Sequence, residues 1–107
     1  SVKQAFLKRV YKENPEKQWF HFGDLDPDGF YILKHLRKGT GIDFVPLHMG
    51  VSELETYSGY GRELSEPDKV KARNLLQQGY YAEIMQYMLE HDCKLEIISY
   101  EIMKKNL

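Results

Sequence analysis

Gly23-Asp24-Leu25-Asp26-Pro27-Asp28-Gly29 is the stretch on which the reading of this chain turns. Three carboxylates stand at alternate positions. The apolar run Trp19-Phe20-His21-Phe22 precedes them and the helical pattern Phe30-Tyr31-Ile32-Leu33-Lys34-His35-Leu36 follows. This layout puts a cluster of negative charge at the carboxyl end of a buried strand. Carboxylates gathered there repel one another, and a hard divalent cation is the usual remedy.

Outward from this loop, apolar periodicity predicts a helix over residues 2–13, closed by Asn14-Pro15, because a residue before proline avoids helical dihedrals. Residues 18–22 form an aromatic run that suits a strand. Residues 29–38 read as a helix with basic residues in its last turn and Gly39 as its stop. Asp43-Phe44-Val45-Pro46-Leu47-His48 is a second strand candidate, which Pro46 confines to an edge or a strand end. One helical turn over 51–57 and a turn at Ser58-Gly59-Tyr60-Gly61 follow. Ser65 as N-cap, Pro67 in the first turn and Asp68 at the capping-box position start a helix running to about Gln77. Gly79 breaks it. Residues 80–91 are amphipathic through Tyr81, Ile84, Met85, Met88 and Leu89. Residues 94–103 fit both periods and are assigned to helix. The order of elements predicts one α/β domain over residues 1–107 with a small parallel sheet. In such sheets, sites lie outside the carboxyl ends of the strands, where the acidic loop falls.

Composition bounds the function. At 107 residues the chain is one domain or part of one. A net charge of −1 provides no global attraction for nucleic acid or anionic membrane, although local contacts remain open. The single cysteine, Cys93, precludes an internal disulfide and fits a reducing, cytoplasmic setting. No run of about 18 apolar residues is present, so no membrane partner is expected. The chain starts without Met, directly in a helical pattern, and reads as a fragment of a longer protein.

The acidic loop excludes two other chemistries. A calcium loop of the EF-hand type needs a Glu at its twelfth position, where this chain has His35, and its entering segment would be a helix. A phosphatase-type site would carry a small hydroxyl residue where Pro27-Asp28-Gly29 stands.

The segment Phe22-Gly23-Asp24-Leu25-Asp26-Pro27-Asp28-Gly29-Phe30-Tyr31-Ile32-Leu33 resembles the Asp-x-Asp motif of Toprim domains, the metal-binding fold of topoisomerases, primases and related nucleases. More narrowly, it is similar to the carboxy-terminal Toprim domain of the nuclease subunit of bacterial Wadjet anti-plasmid systems, relatives of the topoisomerase VI cleavage subunit. The likeness takes in Asn14-Pro15, the motif, the strand ending at His48-Met49 and the late Lys94-Leu95-Glu96. It implies a partial Rossmann-like three-layer sandwich. It also implies Mg²⁺, with Mn²⁺ as an alternative, held by Asp24 and Asp26 as the catalytic pair for DNA cleavage. Its partners would be DNA, SMC-type complex subunits, a second copy as a homodimer, and the rest of the parent chain. The family carries a further Glu on a strand before the first helix, which lies outside this chain, so the fragment alone is expected to be inactive. Ile97-Ile98 also depart from the family's polar continuation after Leu95-Glu96.

Asp28 can be read as a third metal ligand or as the cap of the following helix, and the cap is preferred. Gly23 and Gly29 let the backbone turn tightly around the site. Lys34 and Lys38 share a helix face and are the better candidates for phosphate contact; Lys69, Lys71 and Arg73 form a second basic group, and a solvated face is preferred for both. His21 and His48 lie near strand ends, where packing is the commoner role. None of the eight tyrosines is marked as a nucleophile, and Tyr57, Tyr60, Tyr80 and Tyr81 read as packing or surface residues. Two other functions compete: a metal- or nucleic-acid-binding module without catalysis, and a protein-interaction domain with a structural acidic turn.

Overall fold

The computed structural model describes residues 2–96. Helix α1 (Val2–Glu13) leads to strand β1 (Phe20–His21), helix α2 (Pro27–Thr40) and strand β2 (Val45–Pro46). Helices α3 (Val51–Thr56), α4 (Glu66–Gln77) and α5 (Ala82–His91) follow, with a short 3-10 turn at Ser58–Tyr60 after α3. The molecule is mixed α/β and mostly helical. Among the described residues its sheet has two strands, paired parallel with Phe20 opposite Val45 and His21 opposite Pro46. This pair is the small parallel sheet expected from the order of elements. Pro46 fits because β1 accepts from its neighbours: Val45 N–H donates to the Trp19 carbonyl at 2.9 Å and Leu47 N–H to the His21 carbonyl at 2.8 Å. The N–H that proline lacks belongs to the other edge.

Helix α2 corrects the sequence reading at both ends. It begins at Pro27, whose fixed φ suits a first turn, and Asp26 is its N-cap. It runs through Gly39, where the missing side chain leaves room for Gln4 of α1 to approach. It stops at Gly41, whose φ of 73° lies in the left-handed region and whose N–H donates to the Arg37 carbonyl at 2.8 Å. A glycine ends a helix where it takes that conformation, and Gly39 does not.

Phe30 and Leu33 of α2, Ala72 and Leu75 of α4 and Ile84, Met85 and Met88 of α5 form the centre of the core. α4 packs on both α2 and α5. Ile42, Phe44, Met49, Leu54 and Leu95 close the core around it, and Cys93 packs half-buried against it. The turn from α4 to α5 uses Gly79 at φ 80° and Tyr81 at φ 51°, so α5 starts at Ala82 and not at Tyr80. The segment after α5 is not helical where described. Lys94 pairs antiparallel with Arg62, and Leu95 with Leu25. The remainder of the helix expected over 94–103 lies outside the described residues.

The start of α4 follows its sequence. Ser65 Oγ accepts the Asp68 N–H at 3.2 Å and the Asp68 carboxylate accepts the Ser65 N–H at 2.9 Å, a reciprocal capping box. The fold adds a partner, the Lys94 ammonium, which donates to Asp68 Oδ2 at 2.5 Å with both side chains largely buried. Burial pushes the Asp68 carboxyl up, but Lys94 and the Ser65 hydrogen bonds together outweigh it and hold the group below its ordinary value. An acid so lowered stabilises the fold above its unfolded pKa, and that contribution drains as pH falls through the folded value. Wild type should therefore lose stability below about pH 4, and Asp68→Asn should lose less over the same window, as urea midpoints at pH 7 and pH 3 would show. At pH 7, Asp68→Ala should cost about 2–4 kcal/mol, through the lost cap and the stranded Lys94.

Candidate functional site

The acidic loop is held from both sides. The Leu25 N–H donates to the Leu95 carbonyl at 2.8 Å, and the Leu95 N–H returns a bond to the Leu25 carbonyl at 2.9 Å. The Leu25 side chain sits in the core, 5% exposed. Along extended backbone, side chains alternate between faces. Leu25 is turned inward, and its neighbours Asp24 and Asp26 are both half-buried and close enough for the charge of Asp24 to act on Asp26. One residue later the chain enters α2. Asp26 has extended dihedrals (φ −142°, ψ 167°), and its Oδ1 accepts the Gly29 N–H at 2.7 Å. The helix cap is thus Asp26, where the sequence pointed to Asp28. A carboxylate oxygen one residue before a helix reaches the third N–H of that helix, and Pro27 takes the first position.

Asp28, inside the first turn of α2, turns to another partner. The Lys71 ammonium from α4 donates to its Oδ1 at 2.6 Å. Both side chains are 40% or more exposed, so the pair contributes at most about 1 kcal/mol. Its larger effect is on charge. Lys71 is raised first by its hydrogen bond with Asp28, with Asp68 and Asp26 adding to the pull. Asp26 itself is pushed above the ordinary carboxylate range, chiefly by burial and further by the charges of Asp24, Asp68 and Asp28; the Gly29 N–H opposes the shift. The fold has therefore gathered four aspartates around two lysines and left Asp26 short of positive charge.

Those donors fit a hard cation. Asp24 and Asp26 offer carboxylate oxygens on one face of a pinned segment, and their mutual repulsion is what a divalent ion relieves. Among the described residues no three His, Cys, Asp or Glu side chains form a group able to hold a metal, so Asp24, Asp26 and Asp28 do not make a three-carboxylate cage. Mg²⁺ keeps several waters and commonly takes one or two protein carboxylates beside substrate phosphate, which matches a pair.

Gly29 has no room for a side chain, since a Cβ there would overlap the Asp24 carbonyl oxygen. This contact seats the amino end of α2 against the loop. At Gly23 a Cβ would meet His21 Nε2 at 3.0 Å, because the His21 ring folds back along the same strand end. Burial, aided by the Lys3 charge, lowers the His21 pKa. His48 ends the second strand segment at φ 54°, exposed. Lys34 and Lys38 lie on α2 away from the loop, facing Tyr80. Lys34 is only 8% exposed and Lys71 is ion-paired, so neither lies on a merely solvated face.

Lys71, Asp68 and Lys94 are the members that sequence reasoning did not place at the loop. Asp68 was legible as a cap, and Lys71 only as one of three basic residues on a helix. Nothing in their spacing carries the packing of α4 onto α2.

The architecture and the loop define a class, a small, mostly helical α/β domain with an acidic strand-to-helix turn. The family described as Wadjet protein JetD, C-terminal, matches residues 4–107, and the chain belongs to that family. The Wadjet protein JetD of Bacillus cereus (strain Q1) is 28% identical over 98 residues, covering 87% of this chain and 24% of that protein. The chain thus spans about a quarter of that relative's length. No solved structure matches it.

Gly29→Ala should separate the loop from α2 and destabilise the protein by about 2–3 kcal/mol in urea unfolding. Gly41→Ala, in open space but at positive φ, should cost about 1 kcal/mol.

Proposed function

We propose that this domain is the metal-binding part of a Wadjet-type DNA-cleaving protein, with Asp24 and Asp26 holding Mg²⁺ or Mn²⁺ beside a scissile phosphate. The observation that supports this reading is the Leu25–Leu95 bridge, which turns Leu25 into the core, so that by the alternation of extended backbone both carboxylates would face the other way. The bound ion would stabilise charge on the phosphate and orient the attacking oxygen. The protein's share is to hold the pair in place. Asp26 is fixed by the Gly29 N–H, and Asp24 by the backbone wedge against Gly29. Lys71 keeps Asp28 from adding a free negative charge to the mouth of the site.

In this reading the two described strands are part of a Toprim-like sheet completed by the rest of the parent chain, which also brings a further acidic ligand. Support comes from the apolar face beside β1, where Phe20, Phe22, Tyr31 and Ile32 are 37% or more exposed. That face borders a concavity of about 660 Å³. Such a surface is of the kind covered by protein. Partners beyond the parent chain would be DNA, SMC-type subunits of an anti-plasmid complex, and a second copy. Among the described residues no helix is long and apolar enough to cross a membrane. The same apolar face also favours a second reading, an interaction domain with a structural acidic turn.

Calorimetric titration of the full natural chain with MgCl₂ or MnCl₂ separates the readings. Nuclease function requires a binding isotherm that is lost in Asp24→Ala/Asp26→Ala. It also requires plasmid cleavage that falls at least about a hundredfold in that variant, since outer-shell changes alone cost about ten- to a hundredfold. Metal binding without cleavage would favour a non-catalytic module. Neither effect would leave the interaction domain.

A further inference from the structure

The carboxyl half of α2 and the α4–α5 turn enclose a second concavity of about 400 Å³, lined by Lys34, Arg37, Lys38, Gly79, Tyr80 and Tyr81. The three cations stand at i, i+3 and i+4 on one helix face. Opposite them, the left-handed residues Gly79 and Tyr81 turn the chain so that two successive tyrosines face α2. The Lys34 ammonium donates to Gln78 Oε1 at 2.6 Å and lies 4.6 Å from the centre of the Tyr80 ring. The Lys38 ammonium lies 5.3 Å from the centre of that same ring. Among the described residues, Arg37 has a carboxylate partner in Asp43, whereas no ion pair forms at Lys34 or Lys38.

Arg37 and Lys38 lie in the last turn of α2, where a cation offsets the helix dipole. Lys34 stands before that turn and is 8% exposed, so neither the dipole nor water accounts for its charge. A buried ammonium is costly unless paired with an anion, and one amide oxygen with the Tyr80 ring at 4.6 Å and the Tyr31 ring at 5.9 Å compensates only in part. Two ammonium groups converging on one ring leave a concentrated positive charge at the mouth of a concavity. The group that answers it is compact, anionic and rich in oxygen acceptors, namely a phosphate.

We infer that this pocket is a metal-independent phosphate subsite for DNA, seated on Lys34, Lys38 and Tyr80 and separate from the Asp24–Asp26 loop. It rests on the DNA reading above and extends it. Lys34 and Lys38 follow Asp26 by eight and twelve residues, about 12 and 18 Å along the axis of α2. One helix therefore carries the acidic pair at its amino end and the basic pocket towards its carboxyl end, and a strand engaged at the first can run on to the second. The pocket holds the backbone by charge alone, so it needs no divalent ion.

The test is fluorescence anisotropy of a fluorescein-labelled 20-base-pair DNA duplex with the full natural chain in EDTA, over a series of salt concentrations. Lys38→Gln should weaken binding about three- to tenfold and lower the slope of log affinity against log salt by about 1, the share of one phosphate contact. Lys34→Gln/Lys38→Gln should lower that slope by about 2. Lys38 is exposed, so its single variant decides the matter if replacing buried Lys34 unfolds the chain. Unchanged affinity and slope in Lys38→Gln would overturn the pocket while leaving metal-dependent cleavage standing. The expected loss in a protein that cleaves nothing with Mg²⁺ would support the pocket and overturn the nuclease reading. A wild type that does not bind the duplex would overturn both.

Discussion

The reciprocal hydrogen bonds between Leu25 and Leu95 are the constraint on which the site depends. They are one isolated antiparallel bridge, small by the standard of a sheet. Yet they fix an odd-numbered position in an alternating segment. Once Leu25 is turned into the core, the parity of extended backbone puts Asp24 and Asp26 on the same side. A slip of one residue would bury the carboxylates and expose the leucine. The chain guards against the slip twice, with the Asp26 cap on the Gly29 N–H and with a glycine where the Asp24 carbonyl passes closest to α2.

Helix α4 completes the electrostatics from a distance in sequence. It supplies Lys71 to Asp28, and its capping residue Asp68 receives Lys94, which lies next to Leu95. The bridge that orients the aspartates and the ion pair that anchors α4 thus share one short segment after α5. Stability and site geometry are coupled through it. Charge is balanced unevenly: Asp28 and Asp68 have ammonium partners, and Asp26 has a backbone N–H and three acidic neighbours. That asymmetry concentrates negative charge at the loop in a domain whose net charge is only −1.

Much of this was legible before folding was considered. The helix over 2–13, the start of α4 at Ser65 and the amphipathic face of α5 all follow from local patterns. A capping box or a 3.6-residue stripe is satisfied by neighbours in sequence. The acidic loop was legible as a candidate site for a similar reason, since alternation, strand-end placement and flanking glycines are local properties. The errors fell where two local solutions competed. Asp26 and Asp28 can each cap a helix, and Pro27 decides between them by taking the first helical position. Gly39 and Gly41 can each end α2, and the close approach of α1 at Gly39 gives that glycine a packing role. Residues 94–96 carry a mixed period, and pairing with Arg62 and Leu25 resolves it to extended backbone.

By itself, then, the sequence determined which carboxylates form the loop, that a strand leads into it and a helix out of it, and where most helices lie. These depend on contacts within about one helical turn or one strand length. Only the tertiary structure decided that Leu25 between Asp24 and Asp26 is turned into the core, that Asp28 belongs to Lys71, and that Lys34 is buried against Tyr80. Each of these needs two segments far apart in the chain to meet, and the packing of α4 and α5 on α2 brings them together.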